Sequence, residues 1–205
     1  MTRRLFLCCG AMAPLLRGKP GWEAPFPNWT AAEVDRLLTD SPWARQLTVP
    51  LVHKGPGAAA RGVRTEMYPV VRWSSALPIR QALALAEFGP GGLGEPRAAE
   101  MLNHNPAGYH IDIAGLPTAM FPRPADLEKQ LTETARISVK GRPLLMPVEV
   151  FVPAHGSHLA AALRFPRYEA LTLEGTILFT AAAGTARIEA PFKLPAMVYR
   201  GELAL

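Results

Sequence analysis

Cysteine is almost absent from this sequence. The only two among its 205 residues are Cys8 and Cys9, which lie side by side near the N-terminus. The rest of the chain therefore has no cysteine nucleophile, no CxxC redox pair and no cysteine-ligated zinc site. Disulfides are common in oxidising compartments but are not required there, so their absence does not decide where the protein works.

The apolar run near the N-terminus is too short to cross a membrane. Leu5 to Leu16 gives 12 mostly apolar residues, whereas a spanning helix needs about 20. The sequence therefore predicts no integral membrane span here. A short apolar run after a positive segment is typical of a secretory signal.

Two arginines directly precede this run. The stretch from Thr2 to Leu7, TRRLFL, resembles the twin-arginine motif, which the export machinery reads as an address. We therefore expect residues 1–20 to be an export signal that engages that machinery transiently through Arg3 and Arg4. The protein would then be periplasmic or extracellular. Two alternatives stay open: a lipid anchor at one of the two cysteines, or a buried N-terminal helix in a cytoplasmic protein.

The chain carries almost no net charge outside residues 1–20. The formal net charge is +5, but four of the 22 basic residues and none of the 17 acidic ones precede residue 21. The 18 remaining basic residues nearly balance the acidic ones. Binding to nucleic acid usually requires a basic face that replaces phosphate counterions. The balance therefore predicts no nucleic-acid partner.

The helical patterns lie mostly in the first two-thirds of the chain. Thr30 and Glu33 form a capping box, and Trp29 with Val34 forms a hydrophobic staple, which together predict a helix from Ala31 to Asp40. A second helix is predicted over SSALPIRQALALAEF, residues 74–88, with Ser75 as its cap. Gly89 should end it.

Strand patterns dominate from residue 136 onward, with a hairpin turn predicted around Gly184. Helices followed by strands indicate an α+β fold. We interpret Val63–Trp73, Ser75–Phe88 and Tyr109–Gly115 as a small β-α-β unit with parallel strands, followed by a C-terminal antiparallel sheet. Residues 21–205 form one domain in this interpretation, either undivided or with two lobes, a mixed α/β lobe at 21–134 and a β-rich lobe at 135–205.

Several phrases of the sequence carry a resemblance when taken together: TDSPWAR, VRWSSALPIRQA, YHIDIAGLP, RFPRYEALTLEG and FKLPAMVYRGELAL. They resemble a family of uncharacterised secreted bacterial proteins with TDSPWA, VRWxSAxPxR and FKLxxMVY segments. The resemblance spreads over most of residues 39–205. It implies secretion and a shared fold, and it implies no activity and no cofactor.

Two places could carry chemistry. His110 and Asp112 share one face of a predicted strand, where an imidazole beside a carboxylate can act as a general base. His104 could join them. His155 and His158 could share a metal ion if a third ligand were present. The alternatives are a solvent-facing side of the strand for the first pair and a solvated hairpin tip for the second.

Recognised catalytic motifs are missing. The GxSxG elbow does not occur, and the glycine-rich stretch at residues 89–94 follows a predicted helix rather than a strand, so it does not fit a phosphate-binding loop. We therefore expect a non-catalytic interaction or structural protein without a cofactor, acting on a protein partner that the sequence does not identify. The alternatives are a secreted hydrolase that uses a His/Asp or His/His site, and a binder of a small apolar ligand.

Overall fold

A computed structural model describes residues 22, 24–51, 65–104, 106–121, 123–153, 158–169 and 171–205. The leader, residues 1–20, and His155 lie outside these residues. The α-helices of the described part are α1 (Ala31–Thr39), α2 (Leu77–Phe88), α3 (Pro96–Asn103) and α4 (Pro124–Thr134). Short 3-10 helices span Pro90–Gly92, Thr118–Met120 and Leu194–Ala196.

The described strands form two larger sheets and two small ones. Their bounds are β1 (Asp40–Ser41), β2 (Ala44–Gln46), β3 (Val49–Leu51), β4 (Thr65–Met67), β5 (Val70–Trp73), β6 (Tyr109–Pro117), β7 (Arg136–Val139), β8 (Glu149–Phe151), β9 (His158–Phe165), β10 (Thr176–Ala183), β11 (Ala186–Lys193), β12 (Val198–Tyr199) and β13 (Glu202–Leu203). The six-stranded sheet has the order β1-β2-β5-β6-β9-β8, and the three-stranded sheet has the order β11-β10-β7. β3 pairs with β4, and β12 with β13. Helices and antiparallel sheets together confirm the α+β class.

The core lies between the two larger sheets. Buried and more exposed residues alternate along β9, β10 and β11, as expected for strands with one buried face. The Phe165 ring lies 6.3 Å from that of Phe179, and the Trp73 ring lies 5.6 Å from that of Phe192. Both pairs join the six-stranded to the three-stranded sheet. Since β6 pairs with β9, the larger sheet contains strands from both sides of residue 135.

The predicted β-α-β unit is wrong, because its two strands run antiparallel rather than parallel. β5 and β6 are neighbours, but they pair antiparallel, with Val70 opposite Ala114 and Trp73 opposite Ile111. Two packed helices, α2 and α3, connect them instead of one. The first helix carries the chain away from the end of β5 and the second returns it to that end. The backbone N–H of Ser75 accordingly donates to the carbonyl of His110, 3.3 Å away.

Proline divides the long strand expected at Val63–Trp73. β4 ends at Met67 and β5 begins at Val70, and the two belong to different sheets. Pro69 between them has no backbone N–H, so it cannot continue a ladder of hydrogen bonds. Its carbonyl accepts from the N–H of Leu47, 2.9 Å away, which holds the bend against β2.

The first helix follows its local sequence signals. Thr30 caps α1, with both bonds of the predicted capping box present, and the helix ends at Thr39. The second helix differs at its start, because Ala76 holds the capping position and no side chain caps it. The Ser75 hydroxyl instead accepts from the backbone N–H of His110, 3.1 Å away. The hairpin predicted around Gly184 is confirmed between β10 and β11.

Candidate functional site

His110 and Asp112 share the outer face of β6, as the strand periodicity predicts. Tyr109, Ile111 and Ile113 are buried on the opposite face. Pairing places Asp112 beside Arg72 of β5, and places His110 beside Arg164 of β9. Polar and charged groups from three neighbouring strands therefore meet on one surface of the sheet.

Helices cover the part of this surface that carries Arg72. Its Nε donates to the carbonyl of Leu38 at the end of α1, 2.7 Å away. Burial lowers the pKa of Arg72, while the nearby Asp112 carboxylate raises it. The contact anchors α1 on the outer face of the six-stranded sheet.

Asp112 is held by a serine that sequence reasoning missed. The Ser74 hydroxyl donates to Asp112 Oδ1 at 2.9 Å. Burial of the carboxyl raises the pKa of Asp112 to about 6, against the lowering effects of the Ser74 bond and of Arg72. Ser74 follows β5 directly, so the antiparallel return of the chain is what places it beside β6.

His110 is a half-buried imidazole. Its Nε2 is buried and has no hydrogen-bond partner among the residues that the structure describes. Its ring centre lies 6.0 Å from that of His104, at the end of α3. Burial lowers the pKa of His110, and the electrostatic influence of His104 and Arg164 lowers it further, against the raising effect of Glu149. The imidazole is therefore biased towards its neutral form.

A cavity of about 370 Å³ opens beside these groups, between α2, α3 and β6. Its lining combines apolar and charged side chains: Ser74, Arg80, Leu83, Glu87, Phe88, Arg97, Glu100, Met101, His104 and His110. Arg80 fixes the end of α3 because its Nη1 donates to the carbonyls of Met101, at 3.3 Å, and Leu102, at 2.6 Å. His104 follows this anchored turn. The sequence analysis placed His104 near His110, and their ring centres lie 6.0 Å apart. Ser74 and Arg80 carried no such signal, because about 30 residues or more separate them from His110 along the chain.

The geometry does not assemble an activated nucleophile among these groups. Ser74 donates its proton to Asp112 rather than to an imidazole, and no hydrogen bond links His110 with Asp112 in the described part of the chain. A general base that activates a serine must accept the serine proton, and a third group must orient that base. Within the described residues, the cluster therefore links the Ser74 side chain to Asp112 and leaves His110 Nε2 without a partner.

The second pair of candidates is described only in part. His155 lies outside the described residues, whereas His158 opens β9 opposite Pro117. Among the described ranges, no group of three histidine, cysteine, aspartate or glutamate side chains could hold a metal ion.

A group of exposed apolar side chains lies in residues 144–151, the segment that leads into β8 and includes it. We call it the β8 patch; its members, each 50–59% exposed, are Leu144, Met146, Val148 and Phe151. β8 is an edge strand with β9 as its only ladder partner in the sheet order. Phe151 lies opposite Ala162 on the outer face, and Ala162 is itself exposed. Beside them, Arg164 pairs with Glu149, with Nε 2.9 Å from Oε2.

No protein-family model, no curated protein and no solved structure is significantly similar to the chain. Within the described ranges, no helix combines the length and the apolar character needed to span a membrane.

Proposed function

We propose that the protein is exported and acts as a non-catalytic interaction protein that binds a protein partner through the β8 patch. The observation that carries the proposal is the concentration of exposed apolar side chains. Of the six large ones exposed in the described part of the chain, four belong to this one segment of eight residues. Scattered exposed apolar side chains are normal on soluble proteins, whereas contiguous ones mark interaction sites.

The size of the patch indicates a transient partner. Complete burial of a large apolar side chain contributes about 1.5–3 kcal/mol, and these four are already nearly half-buried. Their further burial is therefore on the order of 4 kcal/mol in total. Association itself costs at least about 4 kcal/mol, so the partner must add polar contacts to bind measurably. Glu149 and Arg164 lie beside the patch and can supply them.

Site-specific cross-linking tests this proposal. A photo-reactive phenylalanine analogue at position 148 should capture a discrete partner protein in host cells. The same analogue at position 189, on the exposed face of β11, serves as the matched control. Capture at 148 should be lost when Met146 and Phe151 are both changed to serine. Equal capture at 148 and 189, or capture that survives this double change, would contradict the proposal.

A second candidate, a small apolar ligand, rests on one observation. A cavity of about 380 Å³ lies between α1 and α2, lined mainly by apolar groups: Trp29, Ala31, Val34, Asp35, Leu38, Leu85, Ala86 and Pro90. Its size lies within the range of small-molecule sites. An apolar ligand there should quench the fluorescence of Trp29. Leu85→Trp would fill the cavity and should abolish saturable quenching, whereas Leu83→Trp, at a position outside the lining, should not.

A further inference from the structure

The hairpin of β12 and β13 closes a cavity of about 470 Å³ against the first turn of α2. The polar and charged side chains of its lining are Ser75, Arg80, Arg167, Tyr199, Arg200 and Glu202. Leu77, Pro106 and Leu203 add apolar surface. The cavity has no part in the proposed partner binding, since no member of the β8 patch lines it.

Positive charge dominates the lining. Three arginines face the Glu202 side chain and the last residue, Leu205, whose terminal oxygen accepts from Arg167 Nη2 at 3.3 Å. Neither Arg80 nor Arg200 forms an ion pair with a residue that the structure describes. Arg80 is half-buried, and within the described part of the chain its guanidinium donates only to carbonyl oxygens, those of Ser75, Met101 and Leu102. Burial lowers the pKa of Arg80, and no acidic group opposes that effect. A partly buried cation without a counter-charge is costly, and an anion in the cavity would relieve that cost.

The other two arginines are held by aromatic rings. Arg167 lies over the Tyr109 ring at 5.5 Å, with its Nε 3.4 Å from the carbonyl of Gly108. Arg200 lies over the Tyr199 ring at 5.1 Å. Such stacking restricts each guanidinium while leaving donors available. The site therefore loses little conformational freedom when it binds an oxyanion.

Arg200 occupies a backbone position that suits other residues better. Its φ is 54°, followed by 85° at Gly201, in the two-residue turn of the hairpin. Turns with two successive positive φ angles favour asparagine or glycine at the first position. Arginine there is strained, and its stacking on Tyr199 offsets the strain. The hairpin itself is fixed, because the Tyr199 hydroxyl donates to Gln81 Oε1 at 2.9 Å and Trp43 Nε1 donates to the carbonyl of Ala204 at 2.8 Å.

We propose that this cavity binds a small molecule that carries a carboxylate or phosphate group and a short apolar portion. The planar fork of a guanidinium matches the oxygens of either anion. The apolar part would lie against Leu77, Pro106 and Leu203. The volume of the cavity lies within the range of small-molecule sites.

Calorimetric titration of the full chain at low ionic strength tests the proposal with four probes: hexanoate, hexyl phosphate, inorganic phosphate and uncharged 1-hexanol. We expect hexanoate or hexyl phosphate to bind with a Kd below about 1 mM. Hexanol should bind at least about tenfold more weakly, because it lacks the charge that the guanidinium forks recognise. Preference between the first two probes distinguishes a carboxylate ligand from a phosphate ligand. If inorganic phosphate binds more weakly than hexyl phosphate, the apolar residues Leu77, Pro106 and Leu203 contribute to binding.

Two substitutions locate the site. Arg200→Asn removes the charge and places a residue that tolerates positive φ, so the thermal midpoint should stay equal or rise. Binding should nevertheless weaken by about fivefold or more, as should binding to Arg167→Gln. Arg187→Gln, on the exposed face of β11, is the matched control and should bind as the unchanged protein does. The proposal is overturned if neither anionic amphiphile binds, if hexanol binds equally well, or if both substitutions leave binding unchanged.

Discussion

Gly108 is a position where one methyl group decides whether β6 can pair with β9. A Cβ atom there would fall far inside contact distance of the Phe165 carbonyl oxygen, which is backbone and cannot rotate away. We expect Gly108→Ala to lower the free energy of unfolding by at least about 2 kcal/mol, because the strands must separate to admit the methyl group. Urea denaturation followed by circular dichroism measures this change.

Gly94 provides the matched control for this substitution. A Cβ atom at Gly94 meets nothing within 4 Å, and its φ is not positive. Gly94→Ala should therefore change stability by no more than about 0.5 kcal/mol. Equal effects of the two substitutions would show that β6 and β9 do not approach each other closely at Phe165.

Asp112 should make stability depend on pH. Its folded pKa, about 6, lies above its ordinary value of 3.8 because the carboxyl is buried. The folded state then holds the proton more tightly than the unfolded state, so the free energy of unfolding should fall as pH rises from about 4 to about 6. The stabilisation present below that window is lost above it. At 1.36 kcal/mol for each pKa unit, the loss is at most about 3 kcal/mol.

The substitution Asp112→Asn tests this dependence. Asparagine keeps an oxygen that accepts from Ser74 and carries no charge, so the variant should match the unchanged protein at pH 4. At pH 8 it should be more stable by about 1–3 kcal/mol in urea denaturation. Asp126→Asn, at an exposed carboxylate in α4, should show no such gain. An Asp112→Asn variant that is less stable at pH 8 would show that the attraction of Arg72 outweighs burial.

At the scale of single elements, α1 depends on its capping box. Thr30 Oγ1 accepts from the backbone N–H of Glu33 at 3.3 Å, and Glu33 Oε2 accepts from the backbone N–H of Thr30 at 2.7 Å. We expect Thr30→Ala to cost about 1 kcal/mol of stability, because it leaves an N–H at the first turn without a partner. Thr132→Ala, which removes a side-chain bond to the Glu128 carbonyl within α4, is the control and should cost less. If the two variants lost equal stability in thermal denaturation, the capping box would contribute no more than an ordinary side-chain bond within a helix.

The contrast between α1 and β6 shows how far local sequence predicts this fold. α1 was predictable because all its signals lie within six residues of its first turn. The direction of β6 relative to β5 was not, because it depends on α3, eight residues that reverse the chain after α2. Ser75 failed as a predicted cap for the same reason. Its hydroxyl oxygen instead accepts from the backbone N–H of His110, 35 residues away.

The candidate site was predictable to the same extent. Alternation along one strand placed His110 and Asp112 on a common face, and the structure agrees. His104 was also predicted to lie near them. The neighbours Ser74 and Arg80 were not predicted, because no spacing in the sequence relates the end of β5 and helix α2 to β6. The β8 patch was equally hidden, because an apolar alternation indicates a strand without indicating whether another layer covers it.

At the scale of the whole molecule, the proposed binding surfaces lie outside the space between the two larger sheets. The β8 patch lies at a sheet edge, and the cavity lined by Trp29 and Leu85 lies between α1 and α2. The cavity lined by Arg80, Arg167 and Arg200 lies beside the hairpin of β12 and β13. Exposed side chains at these surfaces contribute little to the buried core. Substitutions of Phe151 or Arg167 should therefore separate binding from folding, since exposed positions usually change stability by less than about 0.5 kcal/mol.

The proposed export of the protein would depend on residues 1–20, which we expect to be the export signal. We expect the double variant Arg3→Lys, Arg4→Lys to remain in the cytoplasm. Lysine keeps the positive charge but not the planar guanidinium fork, so a receptor that reads paired arginines should reject it. Fractionation of host cells, with mass measurement of the N-terminus, locates the protein and any cleavage. Arg17→Lys, beyond the motif, should be exported normally. Export of the double variant at the normal level would show that the paired arginines are not an address, and the interaction proposal would then need a cytoplasmic partner.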